Sequence, residues 1–205
     1  MKILIYTDNH WCSNSSVIRG RGETFSTRIE NQIKSINWAE SLAEEKGCDL
    51  IAHLGDFFDA PILGPEEISG LKQIKWADKK HYFLVGNHEM GNQDLSFNSL
   101  NALEKVGTVI DKPTLIGGFG YEIILLPYIL ETNRKPLESY INDLYTNIFT
   151  TQEVKQRIIL SHNDICGIRY GQWESKVGFD IKEIEDNCSL CINGHLHNQQ
   201  QVSKK

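Results

Sequence analysis

The stretch Tyr82-Phe83-Leu84-Val85-Gly86-Asn87-His88-Glu89 joins an apolar run to a cluster of side chains that can bind a metal ion. The same arrangement occurs at four other places in the chain. There, residues 3–6 precede Asp8 and His10, residues 50–52 precede Asp56, residues 158–160 precede His162, and residues 190–192 precede His195 and His197. Short apolar runs of this kind are typical of strands buried on both faces of a sheet. Because ligands collect at the carboxyl ends of such strands, the pattern predicts one shared polynuclear metal site.

The segments between these runs carry helical patterns, so strands and helices alternate along the chain. Apolar residues recur at steps of three and four over 25–46, which predicts a helix that ends near Gly47. Residues 64–80 and 93–106 are weaker helix candidates. The pattern also predicts a turn at 117–120, a strand at 121–126, and a helix that opens at Pro136 and buries Leu137, Ile141, Leu144 and Ile148. We therefore expect an α/β fold in a single domain spanning residues 1–205.

Composition narrows the class of protein further. The 205 residues are 40% hydrophobic, enough for a core, and no run approaches the ~20 apolar residues of a membrane span. The chain starts directly with a strand, so we expect no signal peptide. Five scattered cysteines favour a reducing cytoplasm over a disulfide framework. The formal net charge of -6 argues mildly against a free-standing nucleic-acid binder, although bound metal or a partner chain would offset it.

The candidate ligands suit particular ions and a particular chemistry. Carboxylate, imidazole and amide oxygen together favour manganese, iron or zinc. Asp56 is the natural bridge, since one carboxylate can bind two ions. Two ions about 3.5–4 Å apart would clamp a phosphoryl group and turn the water between them into a hydroxide nucleophile. The leaving oxygen then needs an acid or a charge stabiliser, and His88 lies in the right motif for that role.

Five motifs in order resemble the signature of the calcineurin-like metallophosphoesterases. They are Asp8-Asn9-His10, Gly55-Asp56-Phe57-Phe58-Asp59, Gly86-Asn87-His88-Glu89, His162 and Gly194-His195-Leu196-His197. The resemblance implies a two-sheet β-sandwich flanked by helices, with the metals at one edge. It also implies two ligand sets, Asp8, His10, Asp56 and His197 for one ion and Asp56, Asn87, His162 and His195 for the other. His88 would be a catalytic imidazole that binds no metal, oriented by Asp59, with Glu89 as the competing partner.

Details of the motifs favour one branch of this family. Protein phosphatases and dinucleotide tetraphosphatases follow the second motif with Arg-Gly, whose guanidinium grips phosphate, whereas here Ala60-Pro61-Ile62 follows. Residues 2–10 and 55–59 instead resemble the nuclease subunit of SbcCD-type DNA repair nucleases. Residues 162–164 and 193–198 are similar to phage recombination nuclease subunits.

That resemblance implies a DNA exonuclease and endonuclease that uses manganese. It also implies a partner ATPase of the structural-maintenance-of-chromosomes type (SbcC-like) and assembly as dimers, in the cytoplasm of a bacterial cell or phage-infected host. The chain ends eight residues after His197. Relative to the family we therefore expect it to be C-terminally truncated, without the capping and ATPase-docking regions. The alternatives are a phosphoesterase for nucleotides, cyclic nucleotides or phosphoproteins, and a binding scaffold without activity.

Several other residues have a structural and a functional interpretation. His53 and His81 are expected to be satisfied polar residues outside the site. The Cys188–Cys191 pair has metal or redox spacing, but packing on a buried strand is favoured. Trp11, Phe57 and Phe58 are candidates for base stacking or for the core, and the core is favoured for the two phenylalanines. Arg19, Arg21 and Arg28 could touch DNA phosphates or simply form a solvated surface.

Overall fold

The computed structural model describes residues 1–14, 24–118, 121–146, 156–170, 172–197 and 199–202 of the 205-residue chain. Within these residues the strands are β1 (Ile3–Tyr6), β2 (Leu50–His53), β3 (Lys80–Leu84), β4 (Met90–Gly91), β5 (Asp94–Asn98), β6 (Thr108–Ile110), β7 (Thr114–Gly118), β8 (Tyr121–Leu126), β9 (Gln156–Ser161), β10 (Arg169–Tyr170), β11 (Trp173–Glu174) and β12 (Leu190–Asn193). The helices are α1 (Thr27–Glu45), α2 (Pro65–Leu71), α3 (Leu137–Tyr145) and α4 (Ile181–Asn187), with 3₁₀ turns at Ser99–Leu103 and Glu131–Asn133.

The longer strands form two sheets of four strands. In the first sheet the order is β1-β2-β3-β6, and every pairing is parallel. In the second sheet the order is β12-β9-β8-β7, and only the β7–β8 pairing is antiparallel. The parallel order brings the carboxyl ends of β1, β2 and β3 to one edge of the first sheet. Those of β9 and β12 meet in the same way in the second sheet.

The two sheets pack face to face around an apolar layer. The first sheet and its flanking residues contribute Leu50, Ala52, Leu54, Leu84 and Ile110 to this layer, and the second contributes Ile123, Leu125 and Leu160. Along β8 the alternate residues Ile124 and Leu126 face the other way, as the two-residue period of a strand requires. Each fully buried aliphatic side chain contributes roughly 1.5–3 kcal/mol, so this layer fixes how the two sheets are placed.

Helices cover the outer face of each sheet. Ile29 and Ile36 of α1 pack in one cluster with Phe83 of β3, on the outside of the first sheet. Leu137 and Ile141 of α3 pack with Ile124, on the outside of the second sheet. The predicted α/β fold, a two-sheet sandwich flanked by helices, is confirmed.

The long predicted helix is present, and its ends have clear local causes. Helix α1 begins after Ser26, whose side-chain oxygen accepts a hydrogen bond from the backbone N–H of Ile29 at 3.4 Å. It ends before Gly47, which adopts φ +60° and so turns the chain out of the helix.

Two weaker helix predictions were wrong in whole or in part. Residues 93–106 form β5 and a 3₁₀ turn instead of a helix, because Asn92 and Gln93 adopt positive φ and fold β5 back on β4. Within 64–80 the helix stops at Leu71. Side chains of α1 then bind the backbone of the following residues, since Asn37 accepts from the N–H of Lys75 at 2.7 Å and Glu40 from that of Ala77 at 3.0 Å.

Three further predictions need comment. The expected turn at 117–120 is partly strand, because β7 extends to Gly118, and residues 119–120 lie outside the described residues. The predicted helix at Pro136 is present as α3, although Ile148 lies outside the described residues. Strand β12 is not buried on both faces, since it lies at the edge of its sheet and Leu190 is 49% exposed.

Candidate metal centre

The five ligand-bearing segments converge on one site between the carboxyl ends of the strands. Three groups of side chains each offer ligand atoms within 4.8 Å of one another. They are Asp8, His10 and His197; His10, Asp56 and His88; and Asp56, His162 and His195. His10 and Asp56 each belong to two groups, so the three groups form one continuous cluster. The structure thus brings together seven of the eight predicted histidine and aspartate residues, all except Asp59, which lies beside His10. Asn87 lies between Gly86 and His88 on the loop after β3.

Three residues of this cluster have an uncommon backbone conformation. Asp8, His10 and Asp56 have φ values of 54°, 45° and 52°, in the left-handed region that non-glycine residues rarely adopt. Backbone hydrogen bonds between the two loops hold them there, from Asp8 N to Gly55 O at 3.1 Å and from His10 N to Asp56 O at 2.9 Å. Strain of this kind collects at functional sites, where the surrounding structure enforces it.

Glycine is required where two of the loops approach their neighbours. Gly55 has φ +89°, and a Cβ there would collide with the His162 ring. A Cβ on Gly86 would collide with the carboxylate of Asp56. These contacts let two ligand residues lie directly against the backbone of neighbouring loops.

The protonation of His162 is fixed by the backbone. Its Nδ1 lies 2.5 Å from the carbonyl oxygen of Leu54, so Nδ1 carries the proton and donates. The other nitrogen, Nε2, lies 3.1 Å from Oδ2 of Asp56 and 3.2 Å from Nδ1 of His195. In the metal-free protein a proton on Nε2 can donate to the carboxylate, and a cation that replaced this proton would be bound by an imidazole lone pair and a carboxylate oxygen together.

His10 shows the same arrangement on the other side of the cluster. Its Nδ1 lies 3.0 Å from Oδ1 of Asp59, which leaves Nε2 pointing at Nε2 of His197 at 3.3 Å. His197 Nε2 is in turn 3.4 Å from Oδ1 of Asp8. The backbone of this loop is held from outside, because Arg28 and Gln32 of α1 donate to the carbonyl oxygen of His10 at 2.9 and 3.0 Å. Arg28 therefore supports the loop, while Arg19 and Arg21 lie outside the described residues.

Two buried oxygen atoms complete a donor set that fits metal ions. Oδ1 of Asp8 and Oδ1 of Asn87 are buried without a hydrogen-bond partner. Leaving buried polar atoms unpaired is costly, so each such atom calls for an explanation, and an ion provides one. Among the described residues, the three groups of side chains offer carboxylate oxygen and imidazole nitrogen atoms and include no cysteine. This donor set suits manganese, iron or zinc.

Electrostatics keep the central carboxylate ionised. Burial alone would raise the pKa of Asp56, but the hydrogen bond and charge of His162 and the backbone N–H of His88 outweigh it and lower that pKa to about 2. Burial lowers the pKa of His10, because it disfavours the charged imidazolium. The neutral imidazole that results can bind a metal ion.

His88 occupies the position expected of a residue that acts beside the metals. Its Nε2 is 4.0 Å from Oδ2 of Asp56, and its side chain is 40% exposed. The predicted orienting contact differs in detail, because Nδ1 of His88 donates to the main-chain oxygen of Asp59 at 3.2 Å and lies 3.7 Å from its carboxylate. The Asp59 carboxylate instead makes a hydrogen bond to His10, whose Nδ1 lies closer to it, at 3.0 Å. The rings of His10 and His88 pack edge-on beside this carboxylate.

Glu89 does not compete for His88, since it points into the protein. Its fully buried carboxyl group accepts three backbone N–H groups, from Asp56 at 3.0 Å, Gly86 at 2.8 Å and Phe58 at 2.8 Å. Burial and then the charge of Asp56 raise the pKa of Glu89 to about 8. Glu89 thus joins the loops that carry Asp56 and His88. Its position in the motif indicates that an acidic residue lies near the site, but the sequence does not reveal these backbone contacts.

Asp164 is a second supporting residue that sequence reasoning missed. Its Oδ1 lies 3.2 Å from Nε2 of His195, and its Oδ2 lies 3.9 Å from Nη2 of Arg134. Burial opposes protonation of His195, but the hydrogen bond and charge of Asp164 outweigh it and raise the pKa of that imidazole. The signal available was its place two residues after His162, at a strand end.

The remaining candidates are structural. Trp11, Phe57 and Phe58 are at most 1% exposed and belong to the core, so none is available to stack on a base. Buried His53 lies 2.8 Å from Oδ1 of Asn9. His81 lies 2.9 Å from buried Glu40, away from the metal cluster. Cys188 and Cys191 are reduced thiols that pack against the α3 core, and Sγ of Cys188 donates to the main-chain oxygen of Ile184 at 3.2 Å.

Comparison with known proteins identifies the family. The chain matches the calcineurin-like phosphoesterases over residues 1–199 and belongs to this family, which supports metal-dependent hydrolysis of phosphoesters. No curated protein sequence matches the chain. Among solved structures, it is similar to a protein of unknown function from Aquifex aeolicus, with 14% identity and a TM-score of 0.44, over 94% of this chain and 88% of that one. Among the described residues, no helix has the length and apolar character to span a membrane.

Proposed function

We propose that the chain hydrolyses DNA phosphodiesters with two divalent metal ions, most readily manganese, as the nuclease subunit of an SbcCD-type recombination or repair complex. The observation that carries this proposal is the central place of Asp56. One of its two groups contains His10 and His88, and His10 also belongs with Asp8 and His197; the other contains His162 and His195. A carboxylate shared in this way supports a pair of ions better than a single one.

The residues divide into two sets around that carboxylate. Asp8, His10, Asp56 and His197 would hold one ion, and Asp56, Asn87, His162 and His195 the other. When bound, the ions supply charge neutralisation for the phosphate and a nucleophile derived from water. Asp59 and Asp164 hold the imidazoles of His10 and His195 in the orientation that ligation needs.

His88 would assist departure of the leaving oxygen. Its Nδ1 is engaged with the main-chain oxygen of Asp59, so only the imidazolium form carries a proton on Nε2. That nitrogen lies on the exposed side of the cluster, where a phosphodiester can approach. A protonated Nε2 would donate to, or stabilise the charge on, the departing oxygen.

The choice of DNA as substrate rests on sequence. The arginine that grips phosphate in the protein phosphatase branch is missing after Asp59, and residues 2–10 and 55–59 resemble the SbcCD-type nuclease subunit. By the same resemblance we propose a structural-maintenance-of-chromosomes-type ATPase as partner, a homodimeric assembly and a cytoplasmic location.

One experiment separates this proposal from its alternative, a phosphoesterase for nucleotides, cyclic nucleotides or phosphoproteins. The protein is stripped with chelator, then given manganese, magnesium or zinc separately, and assayed on linear duplex DNA, single-stranded DNA and nucleoside monophosphates. We expect DNA cleavage that depends on added metal and is greatest with manganese. Hydrolysis of monophosphates or a simple aryl phosphodiester, with no cleavage of any DNA, would refute the nuclease proposal and favour the alternative.

A further inference from the structure

A short hairpin projects from the long connection between His162 and α4. Strands β10 and β11 pair antiparallel in this hairpin, with Tyr170 opposite Trp173. Its base is closed by backbone hydrogen bonds from Gly167 N to Ser175 O at 2.9 Å and from Ser175 N to Ile168 O at 2.8 Å. The paired strands therefore have a defined backbone with Trp173 at the start of β11, and residue 171 between them lies outside the described residues.

Trp173 is unusually exposed for so large an aromatic side chain. It is 82% exposed, whereas Trp11 in the core is 1% exposed. Exposing an indole forgoes the roughly 1.5–3 kcal/mol that burial of a large apolar side chain provides, so folding does not explain its place. A flat, rigid ring at the tip of a hairpin is suited to stacking on a planar group of a ligand.

Two contacts connect the hairpin, or the chain leading to it, with residues next to the candidate metal site. Asp164, five residues before β10, lies 3.2 Å from Nε2 of His195. The main-chain oxygen of Arg169 accepts a hydrogen bond from Nε2 of Gln200 at 3.0 Å. Gln200 follows His197 by three residues, a reach of at most about 11 Å of extended chain. The hairpin and the segment that precedes it therefore contact residues adjacent to the candidate metal site.

The charge around Trp173 is positive, unlike that of the chain as a whole. Arg169 and Lys176 are 78% and 79% exposed, and both pair with the single carboxylate of Glu174, at 3.7 and 2.9 Å. Two cations and one anion give residues 169–177 a net charge of +1, against -6 for the whole chain. An exposed aromatic ring beside cationic side chains is the arrangement that binds the bases and phosphates of single strands.

We propose that the β10–β11 hairpin is a binding site for single-stranded nucleic acid, in which Trp173 stacks on a base of the substrate strand. This inference rests on the proposed nuclease function and names the part of the substrate that the hairpin would recognise. Arg169 and Lys176 favour the neighbouring phosphates. A protein surface would also accept an exposed tryptophan, but the positive charge and the attachment to the metal site favour the nucleic acid.

The test measures binding separately from cleavage. A fluorescently labelled oligothymidylate is titrated with protein in chelator, and the dissociation constant is read from fluorescence anisotropy. We expect Trp173→Ala to weaken binding about tenfold, within the contribution of one base–aromatic stack, and Trp173→Phe to restore most of the affinity. Trp38→Ala is the matched control, because Trp38 is also exposed, at 66%, but lies on α1 over the other sheet, and it should bind like wild type.

The outcomes distinguish the hairpin from the nuclease proposal. Equal affinities of the Trp173→Ala and Trp38→Ala variants for the oligonucleotide would overturn the hairpin inference and favour a protein partner for Trp173. No binding of the oligonucleotide by wild-type protein would also overturn it. Circular dichroism and the melting temperature show whether Trp173→Ala remains folded. Cleavage of the same oligonucleotide by wild-type protein with manganese tests the function independently. Binding that depends on Trp173 without cleavage would sink the nuclease proposal and retain the hairpin site.

Discussion

The carboxylate of Asp59 binds His10 in preference to His88. Oδ1 of Asp59 is 3.0 Å from Nδ1 of His10 and 3.7 Å from Nδ1 of His88, which contacts the main-chain oxygen of Asp59 instead. A carboxylate on the second nitrogen of a ligating imidazole fixes its tautomer and raises its basicity. Asp59 thus acts on metal binding through its side chain and on His88 through its backbone.

This division predicts the phenotype of Asp59→Asn. Because the amide holds His10 less strongly and no longer polarises it, we expect about tenfold or more weakening of manganese affinity. The backbone contact to His88 is unchanged, so turnover at saturating manganese should fall much less. The measurement is activity against manganese concentration, together with metal content per chain.

A matched aspartate controls for the loss of a surface charge. Asp49 is exposed and accepts a hydrogen bond from the backbone N–H of Lys2 at 2.6 Å, at the far end of the first sheet from the metals. Asp49→Asn should leave manganese affinity as in wild type. Unchanged affinity in Asp59→Asn with a large loss of turnover would instead assign the carboxylate to His88.

His88→Gln should separate chemistry from metal binding. The residue lies beside Asp56 without a place in the ligand sets that we propose, and glutamine keeps its approximate size but cannot supply an imidazolium proton. We expect turnover to fall by roughly 10²-fold or more while both ions stay bound. Metal analysis and steady-state rates on the same preparation provide the check. A rate equal to wild type would remove His88 from the mechanism, and loss of metal would make it a ligand.

The convergence of the candidate ligand residues was predictable because each follows the end of a strand in a parallel arrangement. Buried runs such as residues 50–52 can be recognised from composition, and parallel order then places Asp56 with the loop after β3 in one sheet, and His162 with His195 in the other. The face-to-face packing of the two sheets joins these two groups of residues. The supporting contacts were not predictable in this way. Which neighbour Asp59 binds depends on how the rings of His10 and His88 are oriented. That orientation depends on the local backbone, including the positive φ values of His10 and Asp56, which the sequence pattern does not reveal.

The errors in secondary structure have a related cause. The helix predicted over 93–106 competes with a tight turn at Asn92 and Gln93, whose left-handed backbone a periodicity of apolar residues does not reveal. The segment after Leu71 loses its helix because Asn37 and Glu40, more than thirty residues earlier, bind its backbone N–H groups. Local patterns carry no information about such distant side chains.

Glu89→Ala should destabilise the protein through the loops that it joins. The substitution leaves the backbone N–H groups of Asp56, Phe58 and Gly86 unpaired in a buried place, and each unpaired donor costs about 1–3 kcal/mol. Since the costs of neighbouring unpaired donors are not additive, we expect a loss of roughly 2–4 kcal/mol in the free energy of unfolding. Urea denaturation monitored by circular dichroism measures it.

Glu67→Ala is the control for Glu89. Glu67 also accepts a backbone N–H, from Ser13 at 2.7 Å, but it is only partly buried, so water replaces the lost contact. Its cost should stay below about 1 kcal/mol. Equal losses in the two variants would show that burial of the Glu89 contacts is not what matters.

His53 should make stability depend on pH. Burial, and then the charge of His162, lower the pKa of His53 to about 3, against about 6.5 in an unfolded chain. Between these values the unfolded chain binds a proton that the folded protein does not, so acid favours unfolding. The stability due to neutral His53 is complete above about pH 6.5 and is lost as the pH falls towards 3.

His53→Gln removes this titration and keeps an N–H donor for the side chain of Asn9, which His53 contacts at 2.8 Å. We expect the stability of wild type relative to the variant to decline below pH 6 by up to about 1.4 kcal/mol per pH unit. Urea unfolding of metal-free protein at pH 7 and pH 5 gives the four free energies required. Both proteins keep the histidines of the candidate metal site, so parallel pH curves for the two proteins would contradict the lowered pKa of His53.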